Sequence, residues 1–180
     1  MYILETNRLY FRNWKEEDRS VFYKMNSDPE VMKYFPKILS MEESNFLFDK
    51  FVKNLALKPY GFWAVQRKDT GDLIGFIGLS DVLFKANFTP CVEIGWRILK
   101  SEWGKGFATE GANECLQFAF DILKLEMVYS FTSTLNKKSE SVMKKIGMYK
   151  VGEFNHPNLS FENPLNNHVL YAIDYKKYSK

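Results

Sequence analysis

Covalent cross-links are scarce in this sequence. Its 180 residues include only two cysteines, Cys91 and Cys115, both inside apolar runs. Two thiols in a chain this long do not make a disulfide framework, so both are expected to be buried and reduced, and packing alone must hold the core. No apolar run is long enough to cross a bilayer, and no basic–apolar–small leader pattern is present, so the chain reads as soluble and cytoplasmic with no membrane partner. An excess of one charge is missing too. The formal net charge is +3 and no block of consecutive basic residues occurs, which argues against a nucleic-acid partner. Lys137-Lys138 with Lys144-Lys145 comes nearest, and reads as the solvated face of a short helix. There is no internal repeat or low-complexity segment, and no metal site is expected. Apolar residues, by contrast, are plentiful: 46% of the chain is hydrophobic and 17% aromatic. That composition and length describe one folded domain over residues 1–180.

Periodicity divides the chain into alternating elements. Residues 4–14 read as a first strand, and a helical run with Val21, Phe22 and Met25 follows Glu16-Glu-Asp18. Asp28-Pro29 has the form of a helix start, a capping carboxylate followed by a proline whose missing N–H costs nothing there. Ser40-Met-Glu-Glu43 has the form of a capping box, and Lys58-Pro59 ends the helix it opens. The period then changes. Residues 62–66 and 73–79 read as a hairpin, and 92–99 as a third strand. A helix over 107–123, a strand over 127–134, a short helix over 137–146 capped by Gly147, and strands over 149–154 and 168–175 complete the order. Residues 155–167 form the one long loop. This pattern predicts an α+β fold whose sheet is covered on both faces.

The segment Ser101-Glu-Trp-Gly-Lys-Gly-Phe-Ala-Thr-Glu110 carries the most chemistry. Strand, glycine loop and helix in that order form a phosphate cradle: the glycines let the backbone approach an anion, and the first free helix N–H groups point at it. The Gly-x-x-x-x-Gly-Lys-[Ser/Thr] pattern of a Walker loop is absent. A dinucleotide fingerprint would need a glycine where Thr109 stands and a loop following the first strand of a βαβ unit, and here neither holds.

The run from Val92 to Glu110 and the run from Thr134 through Asn136 and Ser139 to Met148 together resemble the GNAT superfamily of acyl-CoA-dependent N-acyltransferases. The nearest likeness is to its ribosomal-protein N-acetyltransferase-like branch. Thr6-x-Arg8-Leu9, Asn26-x-Asp28-Pro29 and the stretch from Phe154-Asn-His156 to Tyr171 fit that branch as well. The resemblance implies a predominantly antiparallel sheet of about seven strands with helices on both faces, and a splayed strand pair that holds acetyl-CoA. It implies that Trp103, Gly104, Lys105, Gly106, Phe107, Ala108 and Thr109 surround the cofactor's pyrophosphate. Ile98 and Leu99 would offer backbone groups to its pantetheine arm, and Asn136 would touch it from the strand–helix junction. Trp103 departs from the Gln or Arg that usually opens the motif, which puts one side-chain contact in doubt.

The implied reaction is direct attack of an amine on the acetyl thioester. It needs a deprotonated amine and a proton for the departing thiolate. An α-amine ionises near ~8 and a lysine side chain near ~10.4, so an α-amine of a protein, peptide or small molecule needs less help. Ser139 matches the branch's proposed proton donor; the alternative is a first-turn serine bonding backbone. For the base, Glu93 ranks ahead of His168. Glu93 shares a strand face with Gly95, and pairing with Arg97 is its structural alternative. His168 has a suitable intrinsic pKa but a lone histidine is more often structural, and His156 reads as ordering its loop. Trp14, Phe35, Phe62, Trp63 and Trp96 read as core, with Phe35-Pro36 set apart because the connection between the first helices roofs the acceptor in this superfamily. A non-catalytic acyl-CoA sensor of the same fold is the competing reading, and a nucleotide-binding protein of another fold is a third. The chain is expected to be a monomer or homodimer.

Overall fold

A computed structural model describes residues 2–178. Its centre is an eight-stranded sheet. In chain order the elements are β1 (Tyr2–Glu5), β2 (Leu9–Arg12), α1 (Arg19–Asn26), α2 (Met41–Leu57), β3 (Phe62–Arg67), β4 (Leu73–Val82), β5 (Cys91–Ile98), α3 (Phe107–Gln117), β6 (Met127–Ser133), α4 (Lys137–Lys145), β7 (Tyr149–Asn155), β8 (Asn167–Asp174) and the short α5 (Tyr175–Tyr178). The strand order across the sheet is β1-β2-β3-β4-β5-β6-β8-β7. Every neighbouring pair is antiparallel except β5 with β6, which run parallel.

The helices lie on both faces, as the apolar spacing requires. Ala112, Cys115, Leu116, Ala119 and Phe120 of the α3 stretch and Met143 of α4 pack with Ile77, Leu79, Ile94, Ile98 and Val128 on one face. Phe22 and Met25 of α1 and Phe48 and Phe51 of α2 pack with Trp14, Ala64 and Phe76 on the other. Trp14 is the hub of that second layer: its ring meets Phe22 and Phe48 edge-on at 5.0 and 5.3 Å, and its indole N–H donates to the Phe62 carbonyl. That bond lets a large amphipathic ring be buried without leaving a donor unpaired. Ser40 and Glu43 form the expected capping box at the start of α2. Gly147, at φ 83°, takes the left-handed conformation that ends α4.

Three expectations need correction. Residues 4–14 are two strands, because Thr6 turns the chain: its hydroxyl accepts from the Leu9 N–H and its own N–H donates to the Leu9 carbonyl. Asp28-Pro29 starts no helix. Asp28 does cap the Glu30 N–H, but the segment makes only turns before Pro36, whose ring disfavours a helical Phe35. The helix predicted over 107–123 is α-helical only to Gln117 and then widens to a π-turn over Phe118–Ile122. The two cysteines are free, Cys115 buried and Cys91 half-buried.

Backbones approach closely in the β3–β4 hairpin under the second layer. A Cβ on Gly78 would lie 1.9 Å from the Gly61 carbonyl oxygen, a backbone atom that cannot step aside. We expect Gly78→Ala to destabilise the protein by about 1–3 kcal/mol, the usual range for overpacking, although alanine is the better residue for a strand. Urea unfolding reads the effect; a midpoint unchanged from wild type would show that the hairpin can shift to accept the methyl group.

Candidate functional site

The ladder between β5 and β6 is short. One residue pair, Glu93 with Tyr129, is in register, and the Ser130 hydroxyl donates to the Ile94 carbonyl at 2.9 Å just beyond it. Past that point the two strands share no further paired residue. The Leu99 N–H donates to Ile74 on β4, and backbone directions alternate along an antiparallel pair. Trp96 and Ile98 therefore turn their backbone groups away from β4 and into the gap. Leu99 does not: its N–H goes to Ile74 and its carbonyl accepts from the Glu102 N–H. The backbone groups facing the gap thus belong to Trp96, which sequence reasoning missed, and Ile98. Strand alternation from a known β4 pairing would have found Trp96. The Ile98 carbonyl is already met by the Trp103 indole N–H at 2.8 Å.

At the mouth of the gap lies the glycine loop. Gly104 and Gly106 have φ of 77° and 84°, left-handed values that non-glycine residues rarely adopt. Gly106 sits at the N-cap of α3 with no side chain capping it, so the first-turn N–H groups of Phe107, Ala108 and Thr109 have no intrahelical partner. The loop is held from behind. Arg8 donates to the Lys105 carbonyl at 3.0 Å and to Glu110 at 2.6 Å, and its guanidinium lies 4.5 Å from the Phe107 ring centre. Thr6 donates to Glu110 at 2.6 Å. Glu102 ties Arg67 and Lys105 together from the other side. The Thr6-x-Arg8 motif is thus a clamp on the loop, with the Lys105 carbonyl held by Arg8.

On the β6 side of the mouth stands the N-terminus of α4. Asn136 caps it, its side-chain oxygen accepting from the Ser139 N–H at 3.3 Å and its amide donating to Thr132 at 3.1 Å. The Ser139 hydroxyl is half-buried and makes no hydrogen bond among the described residues. The first-turn bond at this position is made by Asn136, not by the serine oxygen. Lys138 reaches across to lie 4.4 Å from the centre of the Trp103 ring. Next along the helix, Glu140 is buried and accepts from Tyr171, Lys137 and Lys144, with its carboxyl drawn down to about 2 by the Tyr171 hydrogen bond first and the lysines after it. It joins α4 to β8.

The gap opens toward the α1–α2 face at Glu93. Ser80 of β4 and Tyr129 of β6 flank Glu93 in the sheet, and alternation puts Gly95 and Arg97 on the same face. Gly95 admits the Phe62 ring, which would stand 3.2 Å from an added Cβ. Glu93 is half-buried and has no hydrogen-bond or ion-pair partner among the described residues. Desolvation alone pushes its carboxyl up to about 8. The pairing of Glu93 with Arg97 considered from the sequence does not occur: Arg97 donates instead to Asn26 at the end of α1.

His168 lies elsewhere. Its Nδ1 meets the Asn166 carbonyl at 3.0 Å, and burial lowers its pKa. Its ring packs 5.0 Å from His156 and against Phe131 and Phe154. Tyr129 is the β6 partner of both Glu93 and Ala172, and His168 is four residues from Ala172 along β8. That is about 13 Å of strand, and two strand spacings add to it, so the two candidate bases do not meet. The His156 ring lies 4.8 Å from that of Phe84, tilted by 55°, and His156 orders its loop through Asn158 and Asn166.

The sequence family described as acetyltransferase (GNAT) domain matches residues 8–149. The "Uncharacterized N-acetyltransferase YoaA" of Bacillus subtilis is 30% identical over 152 residues, covering 83% of this chain and 84% of that protein. The crystal structure of a GNAT-family acetyltransferase from Bacillus anthracis superposes with a TM-score of 0.79 at 26% identity, covering 97% of this chain and 98% of that one. A spermidine N-acetyltransferase from Vibrio cholerae, solved in complex with CoA and spermine, shares the fold with a TM-score of 0.76 at 21% identity over 97% of this chain and 100% of that chain.

An unpaired carboxyl raised to about 8 has a thermodynamic signature. Between the unfolded glutamate value near ~4.5 and about 8 the native state holds the extra proton, so Glu93 makes stability fall as pH rises through that window. We expect Glu93→Gln to be more stable than wild type at about pH 9, with the difference shrinking as pH falls to about 4.5. Urea unfolding at the two ends of the window tests this; equal differences at both ends would mean that the native carboxyl ionises normally.

Proposed function

The chain belongs to the GNAT acetyltransferases, and on that premise we propose that it transfers an acetyl group from acetyl-CoA directly to the amine of a small molecule, peptide or protein. The family uses acetyl-CoA, and the residues present fit it. The observation that carries the reading is the strand pair that stops pairing at Ile94 and Ser130 and ends at a clamped, left-handed glycine loop. Backbone N–H groups of Gly104 through Thr109 would take the pyrophosphate, with the α3 dipole behind them. Backbone groups of Trp96 and Ile98 would serve the pantetheine amides, the second once the Trp103 indole gives way. Asn136 borders the same opening and keeps one amide proton beyond its bond to Thr132.

What the bound molecule supplies is an activated acetyl group; the rest is proton management by this chain. Glu93 is the proposed base. Its lack of a partner leaves it free to accept, and a pKa near neutrality suits a group that must take a proton from an ammonium ion and release it again. The unbonded Ser139 hydroxyl, at the α4 side of the mouth, is the proposed donor to the departing sulfur. In this reading Glu93 is the base and His168 is structural, packed in the aromatic wall of β6, β7 and β8. A free carboxyl at the base of the gap gives the sensor alternative less ground, since a module that only binds gains nothing from an uncompensated acid.

Two measurements test the reading. Gly106→Val forces a β-branched residue to φ 84°, so the loop must rearrange. We expect acetyl-CoA to lose its thermal protection of this variant while the free protein's melting temperature falls by only a few degrees. Protection equal to wild type would move the phosphate site elsewhere. With an acceptor amine that ionises well below 8, kcat/KM of the wild type should rise with a midpoint near about 8. Glu93→Gln should remove that limb and lower the rate by about 10²–10⁴. An unchanged profile ends the assignment of Glu93.

A further inference from the structure

The guanidinium of Arg97 is held on the α1–α2 face of the sheet by neutral groups only. Its Nη1 donates to the Asn26 side-chain oxygen at 2.6 Å. Asn26 is fully buried and fixed in turn, its amide donating to Ser44 at 3.0 Å and its carbonyl accepting from the Leu39 N–H. The guanidinium carbon lies 4.0 Å from the centre of the Phe35 ring and 5.3 Å from that of Phe76. Among the described residues no carboxylate forms an ion pair with it. Its Nε is buried without any hydrogen-bond partner, and Nη2 has none either. Burial without a counter-charge lowers its pKa to about 10.

Nε and Nη2 share one edge of the planar group, and that edge grips a carboxylate with two parallel hydrogen bonds. The half-buried guanidinium has no counter-charge within the protein, and a bound anion would supply one. Phe35 belongs to the α1–α2 connection that covers this face, and Glu93 stands on the same face of β5. We propose that the Nε–Nη2 edge of Arg97 binds a carboxylate of the acceptor, so that the preferred substrate is a small amine that carries a carboxylate. Glu93 and Arg97 are four residues apart on one strand, which sets their Cα atoms about 13 Å apart. The amine and the carboxylate are therefore separated by several bonds, as in a dipeptide or in an amino acid that reacts at the end of its side chain. This inference rests on the acetyl-transfer reading of the gap and deepens it by naming the acceptor class.

The test uses matched pairs: lysine with lysinamide, and dipeptides with their carboxamides, assayed for acetylation and, separately, for thermal shift of the CoA-saturated protein by the N-acetylated acid and its amide. Wild type should favour each acid over its amide by about tenfold or more in kcat/KM, chiefly through KM. Arg97→Met should erase most of that preference while CoA affinity stays unchanged, a split that a merely structural role would not produce. Should the methionine variant fail to fold, Arg97→Lys keeps the charge and loses the fork, and should raise KM for the acids more than for the amides. Equal use of acids and amides by the wild type, or an equal loss on both in the variants, overturns the proposal while leaving acetyl transfer standing. If no amine is acetylated, the acetyl-transfer reading fails, and the binding arm alone decides whether the fork holds a carboxylate: a larger shift by the acids sustains it, and equal shifts end it.

Discussion

The site depends on where two strands let go of each other. Among the described residues β5 and β6 are the only parallel neighbours in the sheet, and their pairing amounts to Glu93 beside Tyr129 and one hydroxyl bond from Ser130 to Ile94. A full ladder would have used the Trp96 and Ile98 backbone groups and left a closed sheet. A buried serine takes the place of a further backbone pair, so the strands stay joined at one end and part at the other. The opening follows from that single departure; the unpaired carboxyl stands at its base and the two helix N-termini at its mouth.

Two clamps make the opening a fixed shape. Arg8 and Thr6 hold Glu110 and the Lys105 carbonyl from the β1–β2 side, and Glu102 holds Arg67 and Lys105 from the β3 side. The loop can then keep two left-handed glycines in a conformation that suits an anion, because its carbonyls and carboxylates are already engaged. On the opposite face the equivalent support is neutral. Asn26 and Ser44 hold Arg97 without cancelling its charge, which is why one part of the site is saturated with ion pairs and the other is left electrostatically open.

Much of this was legible in the sequence. The glycine loop, the capping box at Ser40 and Glu43, the left-handed cap at Gly147 and the covering of both sheet faces follow from local chemistry and periodicity, and all are present. Some hidden parts are local but leave no mark in hydrophobic periodicity: Thr6 turning the chain back on Leu9, the turns after Asp28-Pro29 and the π-turn over Phe118–Ile122. Others are set by partners distant in sequence. At the site, strand alternation placed Glu93 and Arg97 on one face, but only the fold shows that α1 supplies Asn26 and draws the arginine away. The same holds for His168, whose chemistry suited a base and whose register places it among aromatic rings.

The clamp of Arg8 on Glu110 spans 102 residues of sequence. During synthesis Thr6 and Arg8 leave the ribosome long before the helix they grip exists, so β1 and β2 gain their outer support only after α3 has formed. Contacts this distant reward the chain only after a large loop has closed, and they slow folding accordingly. The glycine loop is therefore supported on both sides only once the two ends of that span have met.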